Sequence, residues 1–136
     1  MMALQPDLHV TTMPRYSGAC LCGQVQLGAS GEPLRVGLCH CTDCRRESGS
    51  AFTFYGVWPA DRFEHRGATA QFRGQHFCPR CGARLFSLDA QEAEIKLGVL
   101  SPAPTSLVPG YELWVRRREP WLQPVPGAAQ FDEDRD

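Results

Sequence analysis

Apolar and polar residues alternate in short runs along this chain, and no segment keeps the three-to-four-residue spacing of a long amphipathic helix. Gln24-Val25-Gln26-Leu27 alternates strictly, as a strand does when one face is buried. Leu34 to Cys39 predicts a second short strand. Ala51 to Trp58 is rich in aromatic and β-branched residues and stops at Pro59, which predicts a third. Further strands are expected near Thr69–Arg73, Arg84–Leu88, Glu94–Leu100 and Tyr111–Val115. Between the last two, SPAPTSLVPG carries enough Pro and Gly to be a loop. Thr42–Ser48 reads as a short helix, because it is polar and Thr42 or Asp43 can cap its first turn. The pattern predicts a mainly β domain of short strands, with at most one or two short helices and no internal repeat.

The chain has 136 residues, which suits one domain. We expect a flexible N-terminal extension over 1–13, with Met13-Pro14 leaving room for a later translation start. The domain proper is expected over 14–125 and an acidic, solvated tail over 126–136. The formal net charge is −1, so no basic field points to nucleic acid. No apolar run has the length of a membrane helix. MMALQPDLHVTTMPR lacks the apolar core of a secretory signal, so a cytoplasmic location is expected. Arg116-Arg117-Arg118 is a local basic run, expected at a solvent-facing strand end. Trp114 and Trp121 are expected to pack in the core or at a sheet edge.

Seven cysteines change the picture. Seven is odd, so disulfides cannot use them all. In a reducing compartment, clustered cysteines indicate metal ligands or catalytic thiols. They fall into three groups: Cys20-x-Cys22, Cys39-x-Cys41-x-x-Cys44 and Cys78-x-x-Cys81. Cys78-Pro79-Arg80-Cys81-Gly82 has the form of a zinc knuckle, with two thiolates and a glycine that lets the turn tighten. Such a knuckle supplies two of the four ligands a structural zinc needs. Cys20 and Cys22 can supply the others, since residues i and i+2 of an extended segment point the same way. A Cys₄ site would then clasp the 55 residues between the pairs.

Cys39, Cys41 and Cys44 offer three thiolates and no fourth cysteine. Three protein ligands with one position free for water or substrate is the pattern of a catalytic rather than a structural zinc. His9, His40, His65 and His76 are the candidate fourth ligands, although His40 should point away from its flanking cysteines on an extended segment. A different partition, with Cys39 and Cys41 joining Cys78 and Cys81, stays open at this level.

The segments SGACLCGQVQL, CHCTDCRRESGSAF, FCPRCGARLF and IKLGVLS, followed by a late Trp, resemble the glutathione-dependent formaldehyde-activating enzyme family. The same domain occurs in centromere protein V. The resemblance runs from about Tyr16 to Trp121. It implies a β-tent of short antiparallel sheets clasped by zinc, related to the zinc-binding guanine-exchange chaperones of the secretory pathway. It also implies two zinc ions per chain: a structural one on Cys20, Cys22, Cys78 and Cys81, and a second, open and labile one on Cys39, Cys41 and Cys44, tied to activity. All seven positions are retained. The family's usual aspartate near residue 100 is replaced by Ser101.

The implied activity is a zinc-dependent carbon–sulfur lyase reaction, in which a small thiol such as glutathione adds reversibly to formaldehyde or a related small electrophile. Zinc with three thiolates is a modest Lewis acid, better suited to holding a fourth thiolate than to activating water. Arg45 and Arg46 beside the cluster are candidates for offsetting the negative centre or gripping a substrate carboxylate, and Ser48 for a donor near the metal. The alternatives are the same chemistry on another thiol, or a zinc-stabilised protein-binding module without turnover. Oligomeric state is not readable from the sequence.

Overall fold

The computed structural model describes residues 13–135. His9 and most of the expected N-terminal extension lie outside the described residues. The fold is mainly β. One sheet runs in the order β10 (Leu100–Ser101), β1 (Arg15–Ala19), β2 (Gln26–Ser30), β5 (Phe63–Arg66). The other begins with β12 (Ala129–Gln130), β11 (Tyr111–Leu113), β3 (Arg35–Cys39) and β4 (Thr53–Pro59). It continues with β9 (Glu92–Lys96), β8 (Arg84–Leu88), β7 (Gln75–Phe77) and β6 (Ala70–Phe72). Among the described residues a single α-helix, α1 (Thr42–Ser48), joins β3 to β4.

The main core lies between the two sheets. Leu27 and Ala29 of β2 meet Val36, Trp58, Leu85, Phe86 and Ile95 of the larger sheet. Trp58 is fully buried and its indole N–H donates to the Gly31 carbonyl at 2.9 Å, so its polar edge is satisfied. Cys20 and Cys78 belong to this core. A second, smaller cluster holds Cys39, Tyr55, Val57 and Tyr111, with Cys41, Cys44 and Phe131 packed against it. The two cysteine-rich regions thus sit in different parts of the interior.

Two ladders are parallel, where short antiparallel sheets were expected. β11 pairs parallel with both β3 and β12. A parallel pairing needs a long crossover instead of a hairpin: residues 40–110 separate β3 from β11, and residues 114–128 separate β11 from β12. β11 can approach β3 because Gly37 has no side chain: a Cβ there would lie 2.6 Å from the Tyr111 ring.

Residues 126–135 are mostly exposed, yet their backbone is tied to the larger sheet. β12 pairs with β11, the Phe131 N–H donates to the Glu112 carbonyl at 2.9 Å, and the Trp114 N–H donates to the Glu133 carbonyl at 2.9 Å. The tail's acidity has a local partner, since Arg116 bridges Asp132 and Glu133. The arginine run lies on a 3₁₀ turn (Val115–Arg117) and its edge, with Trp114 in a left-handed conformation ending β11. Trp121 is 70% exposed, in contrast to the packing expected of it.

Candidate metal centres and the cavity beside them

Cys20 and Cys22 close one tight turn and Cys78 and Cys81 another, and the two turns are built alike. The Cys20 N–H donates to the Val25 carbonyl (2.9 Å) and the Cys78 N–H to the Ala83 carbonyl (3.0 Å). Gly23 and Gly82 follow the second cysteine of each pair with positive φ, a conformation that costs a side-chain-bearing residue but not glycine. Backbone N–H groups then aim at sulfur: Val25 at Cys20 Sγ (3.2 Å) and Arg80 at Cys78 Sγ (3.4 Å). Sγ of Cys20 lies 3.6 Å from that of Cys22, and Sγ of Cys22 lies 3.8 Å from that of Cys78. Tetrahedral zinc with bonds of about 2.3 Å to sulfur sets its sulfurs about 3.8 Å apart. Disulfide sulfurs would be far closer, at about 2.05 Å. The donor set and spacing fit a tetrahedral metal.

The second group forms where β3 ends and α1 begins. Cys39 is the last residue of β3, opposite Thr53. Cys41, and neither Thr42 nor Asp43, is the N-cap of α1, and its sulfur accepts from the Cys44 N–H at 3.3 Å. A sulfur thus takes the role usually filled by a hydroxyl or carboxylate oxygen. The sulfurs of Cys39, Cys41 and Cys44 lie within 4.8 Å of one another. Without a cation they share charge unevenly. The Cys44 thiol is drawn down to about 6, chiefly by the Cys39 thiol, then by the Thr53 hydroxyl, the Cys41 thiol and the positive charge of Lys96, against its burial. Cys39 is pushed far up, first by Cys44 and then by burial. A divalent cation would relieve that competition, because it favours all three thiolates together.

The described histidines are engaged elsewhere. His40 points away from the sulfurs and into the interior, with Nε2 2.7 Å from Glu112 Oε1. His76 pairs with Thr69 (2.8 Å) and stacks on Phe86, and His65 packs on Phe63 and Phe86. The sulfurs separate as four and three, and not in the mixed partition. Arg45 is committed to the Arg117 carbonyl (3.0 Å) and to Glu119. Ser48 donates to the Cys44 carbonyl (2.8 Å) and accepts from the Ser50 N–H, so it shapes the turn after the helix. Arg46 lines a cleft on the flank of α1.

A cavity of about 410 Å³ is walled by Phe52, Phe54, Thr53, Glu47, Arg84 and Lys96, with Gly82 and Ala83 from beyond the Cys78–Cys81 knuckle. None of the three thiols lines it directly, and Thr53, the strand partner of Cys39, stands between. Lys96 is the chain's single lysine and is nearly buried, held by Glu94 at 2.8 Å and Glu47 at 2.9 Å. Sequence reasoning passed over Lys96, Glu47 and Thr53. None carried a signal: alternation with Ile95 and Leu97 puts Lys96 on the polar face of its predicted strand.

The family follows from a direct comparison. Residues 15–117 match the family of glutathione-dependent formaldehyde-activating enzymes, which is most of the chain. The chain belongs to this family. Over 79 residues it is 33% identical to a Schizosaccharomyces pombe protein named as an uncharacterized lyase. That alignment covers 54% of this chain and 58% of the relative, so only part of the relative's length is matched. A Rhodobacter sphaeroides protein of known crystal structure shares the fold at a TM-score of 0.52 and 21% identity, over 68% of this chain and 97% of that one. Among the described residues no helix is long and apolar enough to cross a membrane.

Proposed function

We propose that this chain catalyses the reversible addition of a thiol, glutathione or a close analogue, to formaldehyde or a related small aldehyde, as a carbon–sulfur lyase of its family. The observation that carries the reading is the convergence of the Cys39, Cys41 and Cys44 sulfurs with no fourth ligand among the described residues, across Thr53 from a cavity. Zinc bound there would supply stabilisation of a substrate sulfur as thiolate at its remaining position. Cys39, Cys41 and Cys44 hold that ion, and Cys20, Cys22, Cys78 and Cys81 hold a structural one. A reducing cytoplasm keeps the seven thiols available.

The protein's own groups do the rest. Lys96, itself paired with Glu47 and Glu94, is the cation that acts on the Cys44 sulfur. The Phe52 and Phe54 side chains give the reacting groups a partly dry wall, where charge interactions act more strongly than in water. In the forward direction the thiol gives up its proton and its sulfur bonds to the aldehyde carbon. The carbonyl oxygen takes the displaced electron pair and a proton, and the lyase direction breaks the same carbon–sulfur bond. Exchange NMR on glutathione and formaldehyde tests the reading: zinc-loaded protein should speed adduct exchange and Cys44→Ala should not. No acceleration by wild-type protein of confirmed zinc content would overturn it.

A further inference from the structure

A second cleft of about 410 Å³ runs between α1 and the β6–β7 hairpin, and Glu47 and Arg84 line both it and the cavity beside the three-thiol centre. Three guanidinium groups face it, those of Arg46, Arg73 and Arg84, against the carboxylates of Asp43 and Glu47. Glu47 is already held by Lys96 at 2.9 Å and stands 3.8 Å from Arg84, too far for a good hydrogen bond. Arg46 and Arg73 have no carboxylate partner within salt-bridge distance among the described residues. Arg84 Nη1, a donor, is buried in this lining with no hydrogen-bond partner. Native interiors rarely leave such groups unpaired.

The backbone adds an independent observation. Phe72 pairs with Gln75, so Arg73 and Gly74 are the two residues of a tight hairpin turn, and both have positive φ (53° and 83°). Such turns favour Asn, Asp or Gly at the first position. An arginine held there is a local conflict, and conflicts of this kind gather at ligand sites. The turn thus presents the Arg73 side chain to the same cleft that Arg46 lines from α1.

We propose that this cleft binds a carboxylate of the thiol substrate, so that the chain selects peptide-type thiols, with a carboxylate remote from sulfur, over small neutral thiols. The proposal rests on the thiol-addition reading and deepens it. Planar, forked guanidinium donors suit a carboxylate, and the shared wall of Glu47 and Arg84 connects carboxylate grip to sulfur chemistry.

S-methylglutathione tests this without turnover, because its sulfur is capped while its carboxylates remain. Calorimetric titration of the zinc-loaded chain should show binding that falls tenfold or more in Arg46→Gln and in Arg73→Gln. The diethyl ester should bind tenfold more weakly than the free acid. Arg73→Gly is the sharper variant: glycine suits the positive φ, so the melting temperature should hold or rise while binding falls. Unchanged binding in these variants, or equal binding of the diester, would overturn the proposal. So would displacement by inorganic phosphate at equal concentration, which would mark an unselective anion site. Adduct exchange separates the two readings. Equal acceleration with glutathione and 2-mercaptoethanol would remove the carboxylate cleft and leave the lyase reading standing. Arginine-dependent binding with no acceleration for any thiol would do the reverse.

Discussion

The Nε2 of His40 lies 2.7 Å from Oε1 of Glu112, and both side chains are 1% exposed. His40 stands between two of the three cysteines of the three-thiol group, and its backbone N–H donates to the Leu113 carbonyl at 3.0 Å. The cysteine loop is therefore tied twice to β11. Glu112 also accepts from the Val125 N–H (2.7 Å) and the Gln130 amide (3.1 Å), with Arg118 at 3.4 Å.

That arrangement makes stability depend on acid. Burial pushes the Glu112 carboxyl up, but the Val125 N–H, Gln130, His40 and Arg118 together pull it further down, from 4.5 to about 2. A folded value below the unfolded one contributes stability above pH 4.5 that is lost as pH falls from there through about 2, on the order of 3 kcal/mol in all. Urea midpoints of wild type and Glu112→Gln should differ most at neutral pH and converge as pH falls through that window. Parallel pH profiles would refute the role given to the carboxylate.

The two cysteine groups should respond differently to loss of a ligand. Cys78 is fully buried in the main core, whereas Cys44 lies at the margin of the smaller cluster. Cys78→Ala should lose the fold along with its metal, because structural zinc sites contribute folding energy directly. Cys44→Ala should stay folded with one zinc fewer per chain. Elemental analysis with circular dichroism reads both. Equal unfolding of the two variants would make the middle site structural.

Gly37→Ala should push Tyr111 away from β3. The added methyl would lie 2.6 Å from the ring, and Tyr111 also shares a 2.8 Å hydrogen bond with the Tyr55 hydroxyl. Overpacking of this kind costs about 1–3 kcal/mol. A lower denaturation midpoint is expected, together with weaker zinc retention at the centre that β3 leads into.

Removing residues 126–136 takes away β12 and Gln130 and leaves Glu112 short of a donor. We expect a loss of about 2–4 kcal/mol, with zinc leaving the three-thiol centre at lower chelator concentration than in the full chain. A truncated chain as stable as the parent would mean that this segment is ornamental. Arg116 and its acidic partners contribute little to the loss, being exposed.

Much of this was legible in the residues. The Cys78–Gly82 knuckle, the three cysteine clusters and the strand at Arg84–Leu88 all follow from local spacing, and local spacing is what a sequence displays directly. Which clusters join is decided only by the fold, which brings Cys20 and Cys22 to Cys78 and Cys81. Other elements were hidden because distant residues define them. β1 shows no alternation; it is a strand because β2 and β10 pair with it, and Gly18 is required by the Val99 carbonyl, 2.3 Å from where its Cβ would be. Glu94–Leu100 was expected as one strand, yet a 3₁₀ turn (Leu97–Val99) divides it and sends Leu100 to the other sheet. Thr69–Arg73 was expected as a lone strand and is half of a hairpin, because Arg73 hides its turn behind a side chain that turns seldom accept. The cavity beside Cys44 was not legible, since Thr53, Arg84 and Lys96 come from three strands.

The parallel pairing of β11 with β3 also sets the order in which the two cysteine centres can be completed. The four sulfurs of the closed site are all made once residue 81 has been added, so that site can take metal while the chain is still growing. The three-thiol group has its sulfurs by residue 44, yet its loop is anchored by Leu113, Glu112 and Gln130, made much later. Metal capture at the clasp can therefore precede the final shaping of the three-thiol loop, which waits for anchors made after the clasp's last sulfur.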